Sequence, residues 1–301
     1  MENYTSLRNL FRDLTFNSTS DNLTLGDTLI NASIKRILGL KSWPFLLKTN
    51  TQTTVASQQF YNLPYNFGKL AGSGVTVTVS NTRYAPKEAP NVEFWNQKNE
   101  STTITSNIPE WFFILNGQLG FWPTPSSAGN TITYTYKVRF KDLSRANYTT
   151  GNVGTATLGS ATITGSAASW ATVMAGRWIR ITAGDTANTG DGEWYEIDSI
   201  SSSTAILKRN YAGLSIAGVN NAYIIGETSP LPEGYDDIPV YEAAAIRMAR
   251  LDPSLATQYK ATADEKLLGL VREYSSLTGG VALDESEYDA TRINPNFFVQ
   301  L

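Results

Sequence analysis

The sequence PEWFFILNGQLGFWPTP, residues 109–125, contains two apolar runs joined by Asn116 and Gly117. An Asn-Gly pair readily supplies the two positive φ angles of a type I′ turn, whose twist matches that of a β-hairpin. Pro123 and Pro125 then end the second run, because proline has no amide hydrogen to donate to a neighbouring strand. The pattern therefore predicts a β-hairpin.

Residues 131–140, TITYTYKVRF, follow this hairpin and alternate between polar and apolar types. Successive side chains of a strand point to opposite faces of a sheet, so the alternation predicts a strand with one buried face. We expect this strand to continue the hairpin as a β-meander.

The composition argues against catalytic machinery. The chain of 301 residues has a formal net charge of -3 and 17% charged residues, with no basic stripe of the kind that grips phosphates, so we do not expect nucleic acid as a primary ligand. It contains no Cys and no His, which removes disulfides, thiolate zinc sites and histidine-based catalysis. We predict no catalytic residue, no cofactor and no metal ligand.

The sequence also indicates a protein without a membrane partner. No apolar run approaches the roughly 18 residues that a membrane span requires. The first residues, MENY, lack the basic and then apolar profile of a signal peptide. We therefore expect synthesis in the cytoplasm.

Helical spacing recurs near the N terminus. Four residues form an apolar stripe there: Leu7, Leu10, Phe11 and Leu14. The stripe predicts a short amphipathic helix, for which core packing and docking to a neighbouring subunit are about equally favoured. A second helix is expected to begin at the capping-box-like pair Thr24 and Asp27 and to end at Gly39.

Helical patterns return near the C terminus. Residues 237–249 predict a helix rich in small residues, which permits a close helix–helix contact. Residues 252–274 predict another, because Asp252 is a favourable N-cap and Pro253 suits the first helical position.

Residues 149–228 differ in composition, being rich in Thr, Ser, Ala and Gly. Short strand patterns, separated by turn signals every ~8 to 12 residues, predict a small all-β barrel or sandwich. These patterns fall at residues 155–158, 160–164, 177–182, 193–200, 204–208 and 222–225. We expect this domain to be inserted into a discontinuous core formed by residues 1–148 and 229–301. The predicted fold class is α+β, with helices at both ends packed on an antiparallel β-core.

Two site hypotheses carry little weight. Asp185, Asp191 and Glu193 lie among glycines and could line a calcium loop, but their spacing does not fit the known loop pattern, and a hairpin turn explains them. Glu193 and Glu196 could act as the paired carboxylates of a glycosidase, and the seven Trp could stack on sugars. Any chain with 27 acidic residues offers such pairs, so neither site is predicted.

Residues 281–301 show no helical or strand period and end in NPNFFVQL. Exposed Phe297 and Phe298 would lower solubility, so we expect them, with Leu301, to be buried against a partner. This segment is therefore predicted to be a docking extension.

Several of these features resemble the head-to-tail adaptor proteins of tailed bacteriophages. The hairpin, its Pro-x-Pro and the Tyr-rich strand after it resemble the β-core of that family. The order of a helix, an aromatic anchor and a Leu-Pro turn matches as well. The residues that carry this order are Trp43, Pro44, Phe45, Tyr61, Leu63 and Pro64. Residues 176–181 and 193–197 resemble β-modules inserted in phage structural proteins.

The resemblance covers residues 1–147 and 229–280 and implies a structural virion protein rather than an enzyme. It implies a ring of twelve copies at the head–tail junction, assembled in the host cytoplasm. The ring would bind the portal protein, offer a surface to tail or nozzle proteins, and let DNA pass through its lumen. The Trp, Tyr and Thr content leaves an alternative open, a carbohydrate-binding tail fibre, spike or surface protein. A glycan-degrading domain is a further rival.

Overall fold

The computed structural model describes residues 2–100, 104–184 and 189–275. Within them the chain forms five α-helices and fifteen β-strands. The helices are α1 (Tyr4–Thr15), α2 (Ser20–Leu40), α3 (Val92–Glu100), α4 (Ile238–Met248) and α5 (Pro253–Ser275). The first eight strands are β1 (Leu47–Thr53), β2 (Phe60–Asn62), β3 (Phe67–Val79), β4 (Thr82–Tyr84), β5 (Lys87–Glu88), β6 (Trp111–Leu115), β7 (Gln118–Trp122) and β8 (Thr131–Val138). The others are β9 (Asn152–Ala156), β10 (Thr162–Ser166), β11 (Trp178–Ile181), β12 (Trp194–Ser201), β13 (Thr204–Leu207), β14 (Ile216–Asn221) and β15 (Tyr223–Gly226).

The chain divides into two compact units. The terminal unit comprises Met1–Leu40 with Leu143–Leu301, and the central unit comprises Lys41–Asp142. Helices lie toward both ends of the chain and largely antiparallel sheets lie between them, which confirms the predicted α+β class.

The central unit contains two four-stranded sheets, with strand orders β1-β8-β3-β4 and β2-β7-β6-β5. The predicted hairpin is confirmed, because β6 and β7 pair in antiparallel register across Asn116 and Gly117, whose φ angles are 51° and 75°. The predicted faces of β8 are confirmed as well, since Ile132, Tyr134 and Tyr136 are buried. Both sheets contribute to one apolar core.

The predicted β-meander is wrong. Strand β8 pairs with β1 and β3 in the other sheet and does not continue the hairpin. The reason lies in residues 123–130, where two prolines interrupt hydrogen bonding and the connection is long enough to reach a different sheet. Trp43 of the aromatic anchor is 0% exposed and Tyr61, which precedes the Leu-Pro turn, is 3% exposed, so both belong to the core.

The helices of the terminal unit have well-defined beginnings. The Asn3 side chain accepts a hydrogen bond from the Ser6 amide at 3.0 Å and caps α1. Helix α2 begins at Ser20, so the start predicted at Thr24 is wrong. The Thr24 hydroxyl instead donates to the Ser20 carbonyl at 2.9 Å, inside the helix. The predicted cap of α5 is confirmed.

In that cap, Asp252 accepts hydrogen bonds from the amides of Ser254 at 3.0 Å and Leu255 at 3.1 Å. In α4, Ala243, Ala244 and Ala245 are buried, as expected for a helix that packs closely on its neighbours.

Strands β9 to β15 form one seven-stranded sheet, in the order β14-β9-β10-β13-β12-β11-β15. All seven strands contribute side chains to a single core cluster. Six of its strands overlap the predicted patterns, and β14 was not predicted. Tyr148 and Ile225 exchange two backbone hydrogen bonds of 2.9 Å, which places the two ends of residues 149–228 side by side. That this segment is a separately folding inserted domain stays a prediction.

Candidate functional site

A groove of about 1180 Å³ lies within the terminal unit. One wall is formed by α1, a second by β11, β12 and the residues after β13, and a third by the loop before α4 together with α5. We describe these as the helix wall, the sheet wall and the loop wall. The groove is the candidate functional site because it combines open space with charged and aromatic side chains.

The sheet wall alternates aromatic and charged side chains. Trp178 pairs across the strands with Glu196, and Arg180 pairs with Trp194. The Arg180 guanidinium lies 5.9 Å from the centre of the Trp194 ring, within the range of a cation–π contact. The β-strand period puts these side chains on the face opposite the buried Ile179.

Charged side chains connect the strands of this wall. Lys208 Nζ lies 2.6 Å from the buried carboxylate of Glu196 and joins the end of β13 to β12. Arg209 donates a hydrogen bond of 2.9 Å to the Trp194 carbonyl and lies 4.4 Å above the Tyr195 ring. It also lies 3.9 Å from Glu193, an exposed pair whose contribution to stability is small.

The loop wall is acidic. Asp236 is 5% exposed and its carboxylate accepts a short hydrogen bond from the Glu2 amide, which ties the N-terminal segment to this loop. Burial raises the pKa of Asp236 above its usual value, even though the hydrogen bond from Glu2 favours the ionised form. Asp237 forms an ion pair with Lys266 of α5.

The lining as a whole has an excess of negative charge. Its carboxylates belong to Glu2, Asp13, Glu193, Glu196, Glu233, Asp236 and Asp237. Its cations belong to Arg180, Lys208, Arg209 and Lys266. Seven carboxylates against four cations give a negative potential, which favours a positively charged occupant.

The predicted N-terminal stripe is divided between core and surface. Leu7 and Phe11 are 0% exposed and belong to the core of the terminal unit. Leu10 is half-buried and lines the groove, and Leu14 is half-buried near the end of α1. Their role at a subunit contact stays a prediction, and Leu10 and Leu14 are the members with accessible surface.

The other predicted docking residues, Phe297, Phe298 and Leu301, lie outside the described residues. Asp185 of the weakly supported calcium loop does so too. Within that loop, Asp191 accepts hydrogen bonds from the Glu193 amide at 3.1 Å and from the Tyr195 hydroxyl. Among residues 2–100, 104–184 and 189–275, no group of three or more acidic side chains is arranged to hold a metal ion.

Sequence reasoning missed the groove, although it named some of its residues. Glu193 and Glu196 both line it, but Glu196 is engaged with Lys208. The alternation in residues 176–181 could have placed Trp178 and Arg180 on one outward face. Nothing local in the sequence indicates that α1 lies opposite that face.

The described part of the chain has no helix with the length and apolarity to span a bilayer.

The chain matches a known protein family. A family model described as SU10 adaptor protein matches residues 2–186. The match covers α1, α2, the whole central unit and β9 to β11, so it includes the helix wall and part of the sheet wall of the groove. No curated protein matches the chain. Because the match extends over more than half of the sequence, this chain belongs to the SU10 adaptor protein family.

Proposed function

We propose that this protein is a head-to-tail adaptor that joins the portal of a tailed phage to its tail. Membership of an adaptor family makes it a structural component of a phage particle. The family match over residues 2–186 is the observation that carries the proposal. In this function the protein works by assembly rather than by turnover of a substrate.

The proposed assembly is a ring, expected to hold twelve copies, at the head–tail junction of the virion. Its upper surface binds the portal and its lower surface receives tail or nozzle proteins, while DNA only passes through the lumen. A ring requires a head-to-tail contact between copies, since only such a contact can close around a rotation axis of high order. Assembly takes place in the host cytoplasm, without a membrane partner.

Mixing the purified protein with its portal tests this proposal. We expect the lone protein to be mostly monomeric by light scattering and to form a ring when portal is added, with the copy number read from electron micrographs. An unrelated ring-forming portal serves as the control for non-specific association. A protein that ignored its own portal would contradict the proposal.

The same measurement separates the adaptor from the fibre alternative. Tail fibres and spikes usually trimerise, so a stable trimer of the lone protein, unchanged by portal, would favour a carbohydrate-binding fibre or spike. Turnover of host polysaccharide by the purified protein would instead favour the glycan-degrading rival.

We further propose that residues 281–301 dock on the portal or on a neighbouring copy, with Phe297, Phe298 and Leu301 as anchors. Burying each Phe side chain contributes about 1.5–3 kcal/mol, whereas ordering one backbone residue costs about 1–2 kcal/mol. Two Phe cannot offset the ordering of the whole segment, so backbone hydrogen bonds must add to the affinity.

Truncation after Gly280 tests this docking role. We expect the shortened protein to keep its melting temperature and to lose most of its portal binding. Unchanged assembly on the portal would transfer the docking role to the N-terminal stripe.

A further inference from the structure

We propose that the groove of the terminal unit binds an extended, basic segment of a partner protein, anchored by a large apolar side chain. This inference rests on the proposed function and deepens it by stating where a partner of the adaptor binds and what chemistry it has. Four observations lead to it: the size of the groove, its charge, its apolar surface and the conformation of Phe16.

The groove is large enough to hold a segment of polypeptide. Pockets for small ligands usually have volumes of about 300–1,000 Å³, and this groove reaches about 1180 Å³. It is bounded along one side by α1 from Ser6 to Asp13. A peptide chain in extended conformation can follow a helix over such a length and contact the opposite wall with alternate side chains.

The charge of the lining selects the sign of the occupant. Seven carboxylates against four cations repel a polyanion, so a nucleic acid strand is disfavoured and a segment rich in Lys or Arg is favoured. Asp13 on the helix wall and Glu233 on the loop wall are exposed. Asp13 pairs with Arg12 at 3.0 Å, and this exposed pair is weak enough for a cation of the bound segment to compete for the carboxylate. The exposed Arg180 on the sheet wall can donate hydrogen bonds to a carboxylate or a backbone carbonyl of the same segment.

Apolar surface in the groove provides the anchor position. Leu10 on the helix wall and Trp178 on the sheet wall are both half-buried, so part of each side chain remains in contact with water. An aliphatic or aromatic side chain that fits between them removes apolar surface from water on both sides. Hot spots of protein interfaces are typically anchors of this type.

The conformation of Phe16 indicates that partner contact extends beyond the end of α1. Phe16 follows Asp13 by one turn, and its amide donates to the Asp13 carbonyl at 3.4 Å. It has φ 50°, a left-handed conformation that glycine normally takes at this place, and its side chain is 77% exposed. A strained, exposed aromatic residue contributes little to the fold, which points to a role in binding.

Overlapping peptides that tile the portal and the tail proteins of the same phage, immobilised on a surface and probed with the full chain, test the proposal. We expect binding to peptides that combine Lys or Arg with a large apolar residue. The variant Asp13→Asn with Glu233→Gln should bind these peptides about threefold to tenfold more weakly, since each change removes a partly solvated charge. Phe16→Gly should weaken binding while raising the melting temperature.

The control variant is Asp198→Asn with Glu265→Gln, which removes the same charge from exposed positions outside the groove. It should bind the peptides as the unchanged protein does. Selection of acidic peptides, equal binding by the groove variant and the control, or no peptide binding would each overturn the inference. Normal ring formation by a groove variant with unchanged peptide binding would refute the inference alone. Failure of the unchanged protein to assemble on its portal would refute the proposed function, whereas the comparison of the groove variant with the control tests the groove alone.

Discussion

Replacing Gly26 with alanine tests whether Phe11 is a core residue of the subunit. Gly26 lies inside α2, in its first third, and faces the Phe11 ring of α1. A Cβ atom at Gly26 would lie 2.4 Å from Cδ1 and 2.5 Å from Cε1 of that ring, far inside van der Waals contact. Phe11 is 0% exposed, so its ring has little room to move away.

The expected magnitude follows from two opposing effects. A Gly→Ala change inside a helix normally stabilises by about 1 kcal/mol, whereas overpacking a core costs about 1–3 kcal/mol. Gly26→Ala should therefore lower the free energy of unfolding by about 1 kcal/mol. In a Phe11→Ala background, itself destabilised by about 3–5 kcal/mol, the added methyl enters a cavity and the same change should stabilise by about 1 kcal/mol. The difference is a coupling energy of about 2 kcal/mol.

Urea unfolding followed by circular dichroism at 222 nm measures all four proteins of this cycle. Gly39→Ala is the matched control, because Gly39 lies in the same helix and a Cβ there would meet nothing within 4 Å. Gly39→Ala should change the free energy of unfolding by the same small amount in the unchanged protein and in the Phe11→Ala variant. If Gly26→Ala behaved like Gly39→Ala, the Phe11 ring would not lie on α2, and the N-terminal stripe would be available for docking.

The remaining predictions concern other parts of the fold. Arg36→Met should lower the free energy of unfolding by about 3 kcal/mol, because it leaves the buried carboxylate of Glu242 without its ion-pair partner. Adding Glu242→Gln should restore much of this loss in the same urea assay. Gly117→Ala should cost about 1 kcal/mol of stability, measured by thermal unfolding, since Gly117 has φ 75°; an unchanged melting temperature would argue against the type I′ turn. Burial raises the pKa of Tyr134 to about 12. The neutral phenol therefore stabilises the fold below pH 10, and this contribution is lost as the pH rises from 10 to about 12. Absorbance at 295 nm measures the titration, and a phenol that titrated near pH 10 in the folded protein would contradict the prediction. Deleting residues 149–228 and bridging the gap with a Gly-Ser linker should leave a folded remainder that still binds portal through residues 281–301, although it lacks the sheet wall of the groove. Loss of its near-ultraviolet circular dichroism would show that the domain boundaries are wrong.

Sequence patterns predicted local structure well where one physical effect dominated. The Asn116 and Gly117 pair determines its turn through backbone φ alone, and the alternation in β8 determines which side chains are buried. Asp252 likewise predicted the beginning of α5. In each case the residues that decide the outcome are adjacent in sequence.

Features that depend on distant partners were not predictable in this way. The partner strands of β8 are set by packing in the central unit, so the expected meander was wrong. Helix α3 has a weak apolar period and only one buried residue, Trp95, and β14 contains Gly218 at φ 68°, so neither gave a clear signal. The groove depends on the juxtaposition of α1 with β11 and β12, which are far apart in the chain.

The pairing of Tyr148 with Ile225 has a consequence for protein engineering. The chain leaves for the seven-stranded sheet and returns from it through neighbouring backbone positions. Hydrogen-bonded residues of an antiparallel pair have Cα atoms about 5.5 Å apart, so any domain whose own termini are that close can be grafted at this junction. A fluorescent protein or an affinity module with suitable linkers could replace the sheet there. Such a graft would label the particle while the two backbone positions at the junction keep their present separation.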